Sequence, residues 1–278
     1  MNELPITEFP ARHDSTKRVI VALDNMTLSE AVLLTVLIRS EAAGLKIGFE
    51  LLCEDGAKGV MSALKPFGLP VFFDPKLHDI PNTASQTARK LVRRGAWIIN
   101  MHCLGGPAMM DAIRKAVDEV WDQEQEALGL KRKPLLIGVT VLTSLNFEEL
   151  QKIGLRTRQT ADEMSDEEKA EFIRGLTLRL ALLAKDSGLD GVVTSPQEVA
   201  KIRHHCGNDF TLITPGVRPK SSSADDQKRV ATPAEAIQAG ADWLVIGRPI
   251  TGAEKPVEVL RTINQQVAEV LAQQGGAV

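Results

Sequence analysis

The stretch VFFDPKLHDIPNT, Val71 to Thr83, sets two carboxylates and a lysine, Asp74, Lys76 and Asp79, at the end of an apolar run. Val71, Phe72 and Phe73 have the β propensity of a short buried strand. Period-two geometry puts Asp74 and Lys76 on one face, roughly 7 Å apart along the backbone, where their side chains can touch. A lysine beside a carboxylate is held protonated, which suits a cationic acid or a fixed positive charge; a Schiff-base lysine has to be neutral. Pro81 should stop the extended segment, with Asn82 or Thr83 available to cap a helix that continues through SQTARKLVRR.

A second kind of chemistry is signalled by TPGVRP (Thr214 to Pro219) and IGRPIT (Ile246 to Thr251), which each put a glycine beside an arginine. Glycine lets backbone amides approach an oxyanion closely, and arginine offers a planar fork that matches phosphate. One such motif is an ordinary turn; two at successive strand ends point to a phosphate site. Between them KSSSADDQKR, Lys220 to Arg229, is small and polar and reads as a flexible lid.

Positioning these groups requires a framework, and apolar strand-like runs alternate with amphipathic ones along the chain. The strands are expected at Arg18 to Asp24, Gly44 to Phe49, Val71 to Leu77, Trp97 to His102, Leu135 to Leu142, Gly191 to Ser195, Thr211 to Val217 and Trp243 to Pro249. Helices are expected at Leu28 to Ala43, Pro107 to Gln125, Ala170 to Ser187, Pro233 to Ala239 and Pro256 to Gln273. Gly44, Gly95, Gly188 and Gly240 sit where helix C-caps belong. Eight βα units imply a parallel sheet covered by helices, and closure into a single-domain (β/α)8 TIM barrel of about 250 residues is the economical solution. A doubly wound open sheet is the alternative, but no GxGxxG follows the first strand. The barrel would span residues 18–273, between an N-terminal extension (1–17) and a short tail (274–278).

In either fold functional groups gather at the C-terminal ends of the strands. There stand Asp24, Lys46, Asp74, Lys76, His102, Thr143, Ser144, Ser195, Arg218 and Arg248. Any one could be a structural cap; together they read as a site.

Composition narrows the class. The chain has 278 residues, 44% hydrophobic and 25% charged, with a net charge of -3 that gives no reason to expect nucleic acid. Lys131, Arg132 and Lys133 form the only dense basic triplet, which reads as a solvated loop. No run approaches the roughly 18 apolar residues of a membrane helix, and the first residues lack the basic-then-apolar order of a signal peptide. A cytoplasmic protein is expected. Cys53, Cys103 and Cys206 have no CxxC pairing, so neither a disulfide framework nor a zinc site is suggested. His102 alone, without a spaced partner, reads as structural rather than as a metal ligand. His78 reads as part of the strand-to-helix turn, and His204 and His205 as contacts to a helix C-terminus.

The series ALD, LKIG, DPKLHDIPNT, VTVLTS, TPGVRP, DQKR and VIGRPIT resembles the orotidine 5'-phosphate decarboxylase family in its bacterial form, from about Arg18 to Val270. The resemblance implies a cofactor-free, metal-free decarboxylation of orotidine 5'-phosphate to UMP by a homodimer. It makes Lys46, Asp74, Lys76 and Asp79 the charged network, with Lys76 the proton donor and Asp79 reaching the neighbouring subunit's site. Asp24 would bind the ribose hydroxyls. Ile80 and Thr83 would be substrate-binding, Thr83 also across the dimer interface. Thr143 and Ser144 would contact the pyrimidine, and Arg218, Gln227, Gly247 and Arg248 the phosphate. Pro75 departs from the leucine expected there and would delete a ladder donor while facing away from the site. Residues 156–169 read as surface helix and loop. The competing readings are a related metal-assisted sugar-phosphate decarboxylase or aldolase, and a silent phosphate-binding barrel.

Overall fold

In the computed structural model, which describes residues 16–155, 164–218 and 231–275, eight parallel strands close into a barrel in sequence order. They are β1 (Val19–Ala22), β2 (Gly44–Ile47), β3 (Val71–Leu77), β4 (Ile98–His102), β5 (Leu135–Val139), β6 (Gly191–Val193), β7 (Thr211–Thr214) and β8 (Trp243–Ile246). The helices are α1 (Leu28–Ile38), α2 (Phe49–Glu54), α3 (Gly56–Leu64), α4 (Pro81–Arg93), α5 (Gly106–Leu128), α6 (Phe147–Lys152), α7 (Asp166–Asp186), α8 (Val199–Cys206), α9 (Pro233–Gln238), α10 (Arg248–Thr251) and α11 (Pro256–Gly275). The closed barrel, not the open sheet, is the architecture.

Helix starts follow local chemistry. Thr27, Asn146, Ser165 and Thr232 each accept a hydrogen bond from the backbone N–H of a glutamate three residues on, whose carboxylate bonds back to the cap. These capping boxes satisfy N–H groups that the helix itself cannot. Gly95, Gly188 and Gly240 close α4, α7 and α9 with φ of 82°, 72° and 104°, the left-handed conformation that glycine adopts without strain. Gly44 does not cap a helix. It begins β2, and an added Cβ would lie 2.6 Å from the Trp97 ring, so the glycine makes room for a buried indole. Pro81 likewise does not end a segment: it is the first residue of α4, after Ile80 as N-cap, a position where its missing N–H costs nothing. Neither Asn82 nor Thr83 caps that helix.

Two apolar layers hold the barrel. Inside it Ile20, Phe72, Ile98, Ile137 and Ile213 pack with Trp97 and Trp243, whose rings meet edge to face at 5.3 Å, a favoured aromatic geometry. Between strands and helices, residues such as Val21, Phe73, Ile99, Leu212 and Leu244 join the inner helix faces, including Ile113 and Val117 of α5. The basic triplet lies after α5, where Lys133 pairs with Asp118 at 2.6 Å while Lys131 and Arg132 are exposed. No helix among the described residues is long and apolar enough to cross a membrane.

Candidate active site

A cavity of about 510 Å³ opens at the C-terminal end of the strands and is lined by Asp24, Lys46, Asp74, Lys76, Thr143, Arg218, Gly247 and Arg248, among others. Its charged wall is a continuous chain of ion pairs. Lys46 Nζ lies 2.9 Å from Asp24 Oδ1 and 3.1 Å from Asp74 Oδ2, and Lys76 Nζ lies 2.8 Å from Asp74 Oδ1. Burial opposes the charge on Lys46, but the carboxylates of Asp74 and Asp24 outweigh it and hold its pKa above the ordinary value. Burial likewise opposes the Asp74 carboxylate, yet the ammoniums of Lys46 and Lys76, with hydrogen bonds from Lys76 and Asn100, bring its pKa below the ordinary value. Both groups stay charged in the interior because each has two partners.

Lys76 reaches Asp74 by a route that simple alternation misses. Between the pairs Phe73↔Ile99 and Leu77↔Met101 β3 advances four residues and β4 only two. Asp74, Pro75 and Lys76 therefore bulge from the ladder, and Lys76 has φ of 43°, which costs a non-glycine residue energy. Pro75 sits in this bulge, outside the regular ladder, so its lack of a donor leaves no strand pairing broken.

Two residues that sequence reasoning passed over shape this wall. Asn100, buried in β4, donates from Nδ2 to Asp74 Oδ1 at 2.5 Å and accepts the Lys76 backbone N–H at 2.8 Å. A polar amide inside the otherwise apolar run WIINMH was the available signal. Gly48 faces the Asp24–Lys46 pair so closely that a Cβ there would sit 2.5 Å from Asp24 Oδ1 and 3.3 Å from Lys46 Nζ. A side chain at this position would push the pair aside.

The other expected residues divide. Arg218, buried after β7, donates its backbone N–H to Ala231 O at 2.9 Å, and Gly247 and Arg248 open α10 after β8. Thr143 lines the cavity, whereas Ser144 is exposed and lies off its wall. From β6 the wall is formed by Val193 and Thr194 rather than Ser195, and the buried Thr194 hydroxyl has no hydrogen-bond partner among the described residues. Asp79 is exposed; its Oδ1 accepts the Ile80 N–H at 2.7 Å, and it makes no ion pair among the described residues. Ile80, 66% exposed, and Thr83 face outward beside it. Gln227 and the Lys220 to Arg229 segment lie outside the described residues.

His102 ends β4 with its ring 5.3 Å from that of His78. Burial, then His78 and Lys76, keep its pKa below the ordinary histidine value. Among the described residues no group of three histidine, cysteine or acidic side chains is placed to hold a metal ion. Burial pushes the Cys103 thiol up to about 12, so it is not a thiolate nucleophile at neutral pH. His204 and His205 fall in the last turn of α8, where His205 Nδ1 lies 2.8 Å from Lys201 O.

Residues 17–263 match the family described as orotidine 5'-phosphate decarboxylase / HUMPS. The chain belongs to that family. It is 45% identical over 249 residues to orotidine 5'-phosphate decarboxylase from Pasteurella multocida (strain Pm70), covering 90% of this chain and 97% of that one. It is 40% identical over 260 residues to the enzyme of that name from Chromobacterium violaceum, with 94% and 95% covered. Among solved structures, orotidine 5'-phosphate decarboxylase from Lactobacillus acidophilus superposes with a TM-score of 0.71 at 31% identity, covering 90% of this chain and 99% of that chain. The TIM barrel is thus common to the family and to this structure.

Proposed function

We propose that the chain decarboxylates orotidine 5'-phosphate to UMP and CO2, with Lys76 as the proton donor and no cofactor. The observation that carries this reading is the Lys46–Asp74–Lys76 chain of ion pairs on the wall of a cavity that also holds Arg218 and Arg248. Losing CO2 from C6 of the pyrimidine leaves an electron pair in the ring plane, where no adjacent π system delocalises it. Stabilisation must then be electrostatic. An ammonium fixed beside that carbon acts more strongly on the localised charge of the transition state than on the spread charge of the carboxylate. The same Lys76 ammonium then gives its proton to C6, and the electron pair becomes the new C–H bond.

The remaining residues take supporting roles. Asp74, beside the departing carboxylate, would raise the ground state in a way that loss of CO2 relieves. Asp24 would hold the ribose hydroxyls, Thr143 the pyrimidine, and Arg218, Gln227, Gly247 and Arg248 the phosphate. The phosphate arginines follow β7 and β8, separated from Lys76 on β3 by β1 and β2 around the barrel, which gives an elongated nucleotide two anchored ends.

The site is completed by a second copy of the chain. Asp79 has an exposed carboxylate without an ion-pair partner among the described residues, next to the exposed Ile80 and Thr83. In a homodimer Asp79 would add its carboxylate to the neighbour's Lys46–Lys76 pair. A cytoplasmic location accords with a soluble small-molecule substrate.

The test is loss of orotidine 5'-phosphate absorbance on mixing with the purified protein, repeated in excess EDTA. Full activity in both is expected; no turnover, or turnover abolished by EDTA, would overturn the reading. Mixed dimers of Lys76→Ala and Asp79→Ala subunits test the shared site, and recovery of about one competent site per heterodimer is expected. Absence of recovery would leave Asp79 within its own subunit.

A further inference from the structure

We infer that Asn100 is the positioning residue that sets the Lys76 ammonium, and that it does so because its side chain is a neutral amide with one donor and one acceptor in use. The inference rests on the proposed role of Lys76 and assigns a residue to the support of it. The ladder between β3 and β4 is broken over Asp74 to Lys76, and Asn100 stands on β4 between Ile99 and Met101, the residues flanking the break. Its Oδ1 takes the Lys76 backbone N–H at 2.8 Å, so a side chain replaces the missing strand partner at the residue with φ of 43°. Its Nδ2 donates at 2.5 Å to Asp74 Oδ1, the same oxygen that lies 2.8 Å from Lys76 Nζ. One amide therefore fixes the backbone of Lys76 and the carboxylate that orients its ammonium.

Burial makes the arrangement demanding. Asn100 is 1% exposed, so water cannot replace either bond cheaply. No other residue type does both jobs at this size. A carboxylate would accept from the Lys76 N–H but would set a second anion against Asp74, and alanine would leave the N–H and the carboxylate unmatched. The charged and titratable groups around this point are Lys46 from β2, Asp74 and Lys76 from β3, and His102 from β4 with His78 against it.

Asn100→Ala and Asn100→Asp test the idea, each assayed beside wild type at every pH so that the ordinary titration of the site divides out. Asn100→Ala should lower kcat by about 100-fold, the effect of a roughly 1 Å misplacement of a reacting group, while affinity for UMP stays near wild type because the phosphate arginines are untouched. Asn100→Asp should lose comparable activity at neutral pH and regain it relative to wild type as pH falls. Protonation of the introduced carboxyl restores a donor to Asp74 and removes the extra charge. A role confined to stability would not produce that pH dependence. Wild-type kcat in Asn100→Ala, or a loss in Asn100→Asp that is the same at every pH, would overturn the inference. If Asn100→Ala does not fold, Asn100→Asp decides alone. Lys76→Ala is run in parallel: its retention of turnover would refute the role of Lys76 itself, whereas its inactivity with an unaffected Asn100→Ala would refute only the positioning.

Discussion

At the C-terminal end of the barrel Asp74 lies between two ammoniums at 2.8 Å and 3.1 Å, and its pKa falls below the ordinary value despite burial. At the opposite end Asp190, just before β6, has the Arg114 guanidinium at 3.4 Å and the attraction of Lys133 besides, yet there burial prevails and raises the pKa. Burial costs a carboxylate charge in both places, and each has two cations near it; the closeness of those cations decides the sign. The bottom-end charges serve the chain itself. Asp190 accepts the Leu136 N–H, and Asp242 accepts the Leu212 N–H while pairing with Arg203 at 2.7 Å. Arg203 also donates to the carbonyls of Gly207, Phe210 and Gly240. The top-end charges instead bond mostly to one another, around a strained lysine backbone, and face a cavity. Charge that ties main chain together reads as stability; charge that ties chiefly to charge, beside open space, reads as chemistry.

Substitution should separate these two ends. Lys76→Ala should reduce kcat by at least about 10³-fold, since it removes both electrostatic stabilisation and the proton donor, with little change in Tm; a steady-state assay and a melting curve decide it. Arg203→Leu should do the reverse, costing about 3 kcal/mol of stability by breaking the buried ion pair with Asp242 while kcat holds. Arg248→Ala should cost about 2 kcal/mol in kcat/KM, the worth of a hydrogen bond to a charged group, for the nucleotide but not for the phosphate-free nucleoside. Equal losses on both substrates would count against a phosphate grip. Gly48→Ala should have a smaller effect, on the order of tenfold in kcat/KM for a pair pushed slightly apart, and unchanged kinetics would show that Asp24 and Lys46 can move freely.

Acid and base sharpen the same contrast. The folded pKa of Asp74 is depressed, so its contribution is present above the unfolded value of about 3.9 and is lost as pH falls through the lower folded value. The folded pKa of Lys46 is raised, so its contribution is present below about 10.4 and is lost as pH rises through the higher folded value. Asp190 has the opposite sign to Asp74: folding favours its protonated form, so its cost develops as pH rises past about 3.9. The Tm difference between wild type and Asp74→Asn should therefore be flat from about pH 5 to 9 and shrink below about 4. A difference that grew with acid would contradict the charged network.

Much of this was legible from the chain alone because strand runs and capping residues are local signals. All eight strands fall where the apolar runs stand, though most end two or three residues sooner, since residues such as Asp24, Ser195 and Val217 belong to the loops that follow. Gly44 and Pro81 were misread because their roles depend on a distant neighbour, Trp97, and on the start of a helix. The bulge at Asp74 to Lys76 is invisible to period-two reasoning, which reached the right contact by the wrong path. Asn100 and Gly48 act through space on residues of other strands, so local spacing held only a faint trace of them.

The chain has three tryptophans and no tyrosine, and two of those indoles, Trp97 and Trp243, touch inside the base of the barrel. Two of the three indole fluorophores therefore stand at the end remote from the cavity. Refolding followed by fluorescence would track the joining of β4 to β8 across the interior, while nucleotide added at the mouth should leave the signal nearly silent.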